Sequence, residues 1–448
     1  MREPGLRGQD RHEHARRDPS ANRPARGLGL RVTDPPYESA RLASFARAAH
    51  GARTKSTDRA WTALTDRGVP LIEPIRGDRT KLLATFVWRP PGRLTSPSIY
   101  TPIADLTRGE AALQPVKRTG VWYRSFRLSR TTRASYGFSP RPLPALTADE
   151  KAWGSYMRSV QPDPLNPNHL GFPQDPDDPS DFAMVFSLVE LPGAPPQPWY
   201  DARERSRWRE EHHRLRSKIL RNSRSVSVYL PPDFNPRDGR DNLLVVFDGP
   251  VYRETVPTPT IVENLVAAGR LSATVVVLLG NARHARTKDL LQNPAFPDFL
   301  ARELLPWLRR RYRLRVEPSR TVLAGSSMGG VAAARAALRY PKVFGNVLAQ
   351  SGSFQFPGKA PASLMEQFAR SPRLPLRFYL DAGTQETIVL RRWPASLLGS
   401  VRHLRDVLVA KGYPVAYSEF EGGHDYACWR GTLADGLLYL LGRSERAA

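Results

Sequence analysis

The chain has 448 residues, 40% of them hydrophobic, with 67 Lys and Arg against 43 Asp and Glu, a formal net charge of +24 and one cysteine. That length exceeds one ordinary core and predicts two domains plus a tail, and the lone Cys428 excludes an internal disulfide framework and points to a reducing, cytoplasmic compartment. The charge raises nucleic acid as a partner, but there is no zinc-ligand spacing, RNP-type aromatic run or helix-turn-helix pattern, and no run of roughly 20 apolar residues to cross a bilayer, so neither specific nucleic-acid binding nor membrane insertion is expected.

Residues 1–62 are polar and rich in Arg, Pro and Ala, and read as a disordered basic tail, with a helix near Ala40–Ala49. Arg16-Arg17 is followed by polar residues, not by the apolar stretch of a twin-arginine export signal. Residues 63–195 change texture. Lys81–Trp88 and Thr119–Leu128 alternate, Arg133–Phe138 follows, and Met184–Leu191 reads as a last strand. Short aromatic strands between Pro, Gly and Asp turns predict a small antiparallel β-sandwich. The Pro192–Pro198 stretch is the linker.

Residues 196–448 open with Asp201–Arg216, which reads as a charged entry helix. Then come Val226–Leu230, the continuous apolar strands Leu243–Phe247 and Thr274–Leu279, and helices over Ile261–Ala268 and Phe296–Arg311. Further on lie a strand at Asn346–Gln350, a strand at Arg377–Leu380, a helix at Ser396–Lys411 and a strand at Val415–Phe420. Apolar strands alternating with helices predict an α/β fold with a mostly parallel sheet covered on both faces, and chemistry at the C-terminal ends of its strands.

Thr321–Gly330 ends an apolar strand in Gly325-Ser326-Ser327-Met328-Gly329 and leads into an alanine-rich helix. This is the G-x-S-x-G nucleophile elbow in its strand–helix setting. The tight reversal strains Ser327, lifts its hydroxyl clear of the sheet and leaves little room for side chains at the flanking glycines. A serine nucleophile needs a base, and His424 stands in Glu421-Gly-Gly-His-Asp425 just past a strand. The third member should be a carboxylate after the preceding strand. Glu386, further toward the rim, is preferred over Asp381 at the strand end, and Asp425 ranks third. The oxyanion hole needs two N–H donors. Met328 supplies one; Pro250 has no N–H, so Gly249 or Val251 supplies the other, with Gly249 chosen.

Phe247-Asp-Gly, Gly-Ser-Ser-Met-Gly-Gly, Gln350-Ser-Gly-Ser-Phe354, Asp381–Glu386 and above all Gly422-Gly-His-Asp-Tyr-Ala-Cys-Trp-Arg-Gly431 resemble the enterochelin (ferric-enterobactin) esterase family, in the esterase D-like branch of the α/β-hydrolases. The strands around Phe86–Trp88 and Trp122, with Asp163–Pro167, are similar to that family's N-terminal domain. The resemblance spans about residues 65–445. It implies a cytoplasmic α/β-hydrolase that cleaves the trilactone esters of a ferric catecholate siderophore to release iron. Ser327, His424 and Glu386 match the catalytic positions, and Arg286 and Arg391 match basic ones expected to hold the anionic substrate. Trp393, Tyr426 and Trp429 are candidates to stack on catechol rings, Trp429 being favoured as core. No cofactor and no protein-bound metal are expected; iron comes with the substrate. The rival readings are a carboxylesterase of the same fold acting on feruloyl or acetyl esters, and a basic anion-binding protein with an inactive hydrolase core.

Overall fold

Eight strands of one sheet set the C-terminal half of the chain around a single row of strand ends, and the N-terminal half leans on that row. The computed structural model describes residues 37–50, 54–201, 208–232, 234–235, 241–315, 317–356, 362–389 and 395–443. Glu38–Ala448 forms one compact unit.

Helices α1 (Ala40–Ala49) and α2 (Thr54–Thr65) open the described chain. Ser39 caps α1, its hydroxyl accepting the Leu42 N–H at 3.0 Å. Leu42, Phe45 and Ala49 form a short buried stripe, and Phe45 meets Trp61 of α2 edge-on at 6.2 Å. The side chain of Ser39 and the N–H of Arg41 both bind Glu73, on strand β1 (Leu71–Ile75). The helix expected at 40–49 is present, and α2 begins inside the stretch 1–62 read as a disordered tail and runs past its end. The apolar stripe that pins the pair is too short to stand out against the polar composition around it.

Strands β2 (Asp78–Trp88), β3 (Ser98–Tyr100), β4 (Gln114–Val116), β5 (Val121–Ser129), β6 (Arg133–Ser139), β7 (His169–Phe172) and β8 (Met184–Glu190) complete two antiparallel sheets, ordered β1-β2-β5-β4 and β3-β6-β8-β7. Their inward side chains make the sandwich core. Phe86 packs edge-on against Tyr136 at 4.7 Å, and Trp88 stacks on Phe138 at 5.3 Å. The Asp163–Pro167 loop is tied in by the Tyr136 hydroxyl, which donates to Asp163 at 2.9 Å. A helix missed in the sequence, α3 (Glu150–Met157), starts on an Asp149 cap.

The third sheet, of eight strands, runs β16-β15-β14-β13-β11-β12-β10-β9. Its strands are β9 (Arg209–Ser217), β10 (Asn222–Leu230), β11 (Asn242–Phe247), β12 (Thr274–Leu279), β13 (Thr321–Ser326), β14 (Asn346–Gln350), β15 (Arg377–Gly383) and β16 (Val415–Phe420). From β11 to β16 all pairings are parallel. Helices α4 (Gly249–Glu254), α5 (Thr258–Ala267), α6 (Phe296–Phe299), α7 (Leu305–Tyr312), α8 (Met328–Arg339), α9 (Leu364–Arg370), α10 (Leu397–Ala410) and α11 (Tyr426–Leu441) cover both faces. A π-helical turn, Leu300–Leu304, joins α6 to α7. Alternate β11 residues serve opposite cores. Leu243, Val245 and Phe247 face one core with Leu300 and Val331; Leu244 and Val246 face the other with Ile261 and Leu433. That two-sided burial is why these strands read as unbroken apolar runs.

Two expectations change here. The part of the charged entry segment that is described, Arg209–Ser217, is not a helix: it is edge strand β9, paired antiparallel with β10 from Arg209↔Leu230 to Ser217↔Asn222. Its charges suit an edge open to solvent. Helix α11 went unseen because eleven of its residues are buried nearly all round, which erases helical periodicity.

Candidate active site

The sheet's register brings the chemistry into one row. Ser326 pairs with Gln350, Gln350 with Asp381, and Asp381 with Ser418. The segments that follow β13, β15 and β16 carry Ser327, Glu386 and His424, so the predicted trio emerges from the same edge. The loop after β11 also emerges there, beside β13, at the switch in strand order.

Ser327 sits between β13 and α8 with φ 55° and ψ −118°, a conformation that costs on the order of 1–3 kcal/mol for a side-chain-bearing residue. Two bonds hold it there. Its N–H donates to the Gln350 carbonyl at 2.9 Å, and its carbonyl accepts the Ser353 N–H at 3.0 Å. Its hydroxyl lies 3.0 Å from the Ser353 hydroxyl, a neighbour that sequence reading passed over although it stands in the Gln350-Ser-Gly-Ser stretch. The tight contacts are not placed symmetrically around the serine. A Cβ on Gly325 would lie 2.9 Å from Gly329 Cα, and one on Gly330 would lie 3.0 Å from Ala349 Cβ. One on Gly329 would meet nothing nearer than 3.6 Å.

Nδ1 of His424 lies 3.0 Å from Oε1 of Glu386, whose side chain is 3% exposed against 39% for the imidazole. The carboxylate is sunk and the ring reaches the surface, leaving Nε2 for other work. Trp429 supports the ring edge-on at 4.8 Å and donates its indole N–H to Ser351 Oγ at 3.0 Å. With 1% exposure, Trp429 is core, as favoured. Asp381 faces the interior instead, accepting the Ser351 N–H at 2.9 Å. Burial above all pushes its carboxyl up to about 7. Asp425 caps α11 through the Ala427 N–H at 2.9 Å and accepts the Ser135 N–H of β6 at 2.5 Å. Neither aspartate is bonded to His424. The Asp425 bond also shows what the sandwich does: it braces the histidine loop. Arg133 N–H donates to the Glu421 carbonyl at 3.3 Å, Cys428 donates to the Arg133 carbonyl at 3.3 Å, and the Pro102 carbonyl packs against Gly423 so closely that a Cβ there would overlap it.

On the oxyanion side, Met328 is the first residue of α8, so its N–H has no acceptor within the helix. In the β11 loop the Val251 N–H is spent on the Asp248 carbonyl at 3.1 Å, which favours Gly249 over Val251 of the two donors considered. Gly249 is pressed against the end of β12, where a Cβ would come within 3.0 Å of the Leu278 and Leu279 carbonyl carbons. Arg286 is present at this rim but already paired: Nε and Nη2 donate to Asp248 at 2.6 and 2.7 Å, and Nη1 donates to Met328 Sδ at 3.5 Å. Asp248 was not singled out from the sequence. A cavity of about 320 Å³ opens here, lined by Asp248, Pro250, Arg283, Arg286 and Tyr426 together with acidic residues of the sandwich such as Asp175. Arg391 and Trp393 lie outside the described residues. Tyr426 packs on Trp429 at 4.6 Å and reaches the cavity. Among the described residues no group of three or more His, Cys, Asp or Glu side chains could hold a metal ion, and no helix is long and apolar enough to cross a membrane.

A parallel-centred sheet, a strained serine at a strand–helix turn and an outlying all-β domain define a carboxylic ester hydrolase of the α/β-hydrolase fold. Residues 217–440 match the putative esterase family, and residues 83–200 match the N-terminal domain of enterochelin esterase. The chain belongs to the enterochelin esterase family. It is 28% identical over 422 residues to the iron(III) enterobactin esterase of Dickeya dadantii, covering 85% of this chain and 92% of that one. It is 27% identical to the iron(III) salmochelin esterase of Escherichia coli O6:H1, with 85% and 93% covered. Among solved structures it is similar to the ferric enterobactin esterase of Salmonella typhimurium (TM-score 0.70, 26% identity, 85% and 98% covered). It is also similar to the Shigella flexneri enterobactin esterase solved in the presence of enterobactin (TM-score 0.67, 26% identity, 84% and 96% covered).

Proposed function

We propose that this protein hydrolyses the backbone esters of a ferric catecholate siderophore of the enterobactin type in the cytoplasm and so releases its iron. For the chemistry, the observation that carries the reading is the Glu386–His424 pair at 3.0 Å on the same sheet edge as the strained Ser327. For the substrate, support comes from relatives that act on iron(III) enterobactin and iron(III) salmochelin, over more than nine-tenths of their length.

In this reading His424 removes the Ser327 proton through Nε2 while Glu386 holds Nδ1–H and offsets the imidazolium charge. Ser327 Oγ attacks an ester carbonyl. The N–H groups of Met328 and Gly249 receive the oxyanion. His424 then protonates the departing serine alkoxide, leaving an acyl-Ser327 that water cleaves by the same steps in reverse. Arg391, and the Nη1 face of Arg286 left over from its pairing with Asp248, supply cationic contacts to the substrate, and Tyr426 supplies an aromatic one. The iron is cargo, and no resident cofactor takes part.

The test is incubation of purified protein with iron-loaded and iron-free triscatecholate trilactone and with simple feruloyl, acetyl and aryl esters, the products read by mass spectrometry. Ser327→Ala serves as the control. Trilactone cleavage well above that of the simple esters, lost in Ser327→Ala, is expected. Comparable or exclusive turnover of the simple esters would instead make the protein a general carboxylesterase. Trilactone binding with no turnover by the native protein would leave an anion-binding protein on a hydrolase scaffold.

A further inference from the structure

Asp248 departs from what its position predicts. It is the residue before helix α4, where an aspartate ordinarily turns its carboxylate onto the first helical N–H groups. Here it makes no such bond, and its backbone is left-handed at φ 56° and ψ 47°. The carboxylate is buried and points across the rim instead. It accepts two bonds from Arg286 in a fork, at 2.6 and 2.7 Å, and one from Asn281 at 2.9 Å. Burial works to raise the Asp248 carboxyl, and the Arg286 guanidinium outweighs it, holding the acid below its ordinary value. The charge therefore stays on through the neutral range.

The placement of the partners gives the pair a purpose. Asp248 is bonded through one peptide unit to Gly249, the second oxyanion donor. Arg286 extends its free nitrogen to the sulfur of Met328, the first donor, at 3.5 Å. One guanidinium thus touches Met328 and the residue bonded to Gly249, bridging the loop after β11 to the head of α8. A bidentate pair fixes distance and plane together, which a point charge does not.

We infer that the Asp248–Arg286 pair is a clamp that sets the separation and direction of the Gly249 and Met328 N–H groups, and that Arg286 acts on the reaction as a positioning residue more than as a substrate anchor. The inference rests on reading Ser327 as the nucleophile. It goes beyond that reading by assigning the pair an effect on the transition state common to every ester substrate. Displacing a donor by a fraction of an ångström weakens the contact with developing charge, and complete loss of one donor costs about 10²–10³ in kcat.

The experiment compares Arg286→Lys, Asp248→Asn and the double variant, each checked by thermal melting, on a neutral p-nitrophenyl ester and on anionic ferric triscatecholate trilactone. Lysine keeps the positive charge but cannot make the fork. The clamp predicts kcat lowered about 10- to 100-fold on both substrates in either single variant, KM changed less than about threefold, and a double variant little worse than the worse single one. A KM increase confined to the anionic substrate, with kcat on the neutral ester unchanged, would overturn the clamp and make Arg286 a substrate anchor alone. Full activity in Asp248→Asn would also overturn it. Failure of the native protein to hydrolyse any ester would refute the nucleophile reading itself, a result distinct from either of these.

Discussion

His424 and Glu386, 38 residues apart in sequence, meet at 3.0 Å with the carboxylate almost wholly buried, and the second Glu386 oxygen has no hydrogen-bond partner. A sunken carboxylate with one partner gains most when that partner carries positive charge. Glu386 is thus suited to stabilise an imidazolium at His424.

The first prediction concerns that pair. Glu386→Gln should lower kcat by on the order of 10²–10⁴ with KM nearly unchanged, because the amide keeps the shape but loses the charge. Asp381→Asn should stay within a few-fold of the native kcat, since Asp381 binds Ser351 and not His424. Steady-state kinetics on an aryl ester decide between them, and the reverse ranking would move the acid role to Asp381.

A second prediction separates the elbow glycines. Gly325→Ala should destabilise the fold by about 1–3 kcal/mol and abolish turnover, because its Cβ would lie 2.9 Å from the backbone of Gly329. Gly329→Ala should be tolerated, with a melting temperature close to the native value, because its Cβ would find ordinary contact distances. Differential scanning calorimetry of the two variants provides the comparison.

The third prediction is a pH dependence. The Asp381 carboxyl is raised from 3.8 to about 7, by burial first, with Glu386 and Asp435 adding to the rise. Between those values the folded chain holds a proton that the unfolded chain has released. This group's contribution to stability therefore falls as pH rises from about 4 through 7 and is level above that. Asp381→Asn cannot lose the proton. Its melting temperature should gain on the native protein steadily across that interval and then run parallel, as thermal melts at unit pH steps will show. A constant difference from pH 4 to 8 would mean that Asp381 is ionised throughout.

Much of the architecture was legible in the residues because its signals are local. Leu243–Phe247 and Thr274–Leu279 are unbroken apolar runs because both faces of the sheet are covered, and the Gly-Ser-Ser-Met-Gly turn announces itself by spacing. Where such signals fail, so did the reading. Charges on β9 resembled a solvated helix until its pairing with β10 made it an edge strand. Helix α11 is buried on nearly every side and so has no polar face to count.

Pattern alone was enough to identify the α/β sheet, the preceding sandwich, and Ser327, His424 and Glu386 as the residues to watch. Each of these is marked by its immediate neighbours along the chain. Only the folded chain decided which carboxylate meets the imidazole, that Asp248 spends its charge on Arg286, and that the sandwich braces the histidine loop through Ser135 and Pro102. Those choices depend on strand order and register, which join residues tens to hundreds of positions apart through contacts that sequence spacing does not encode.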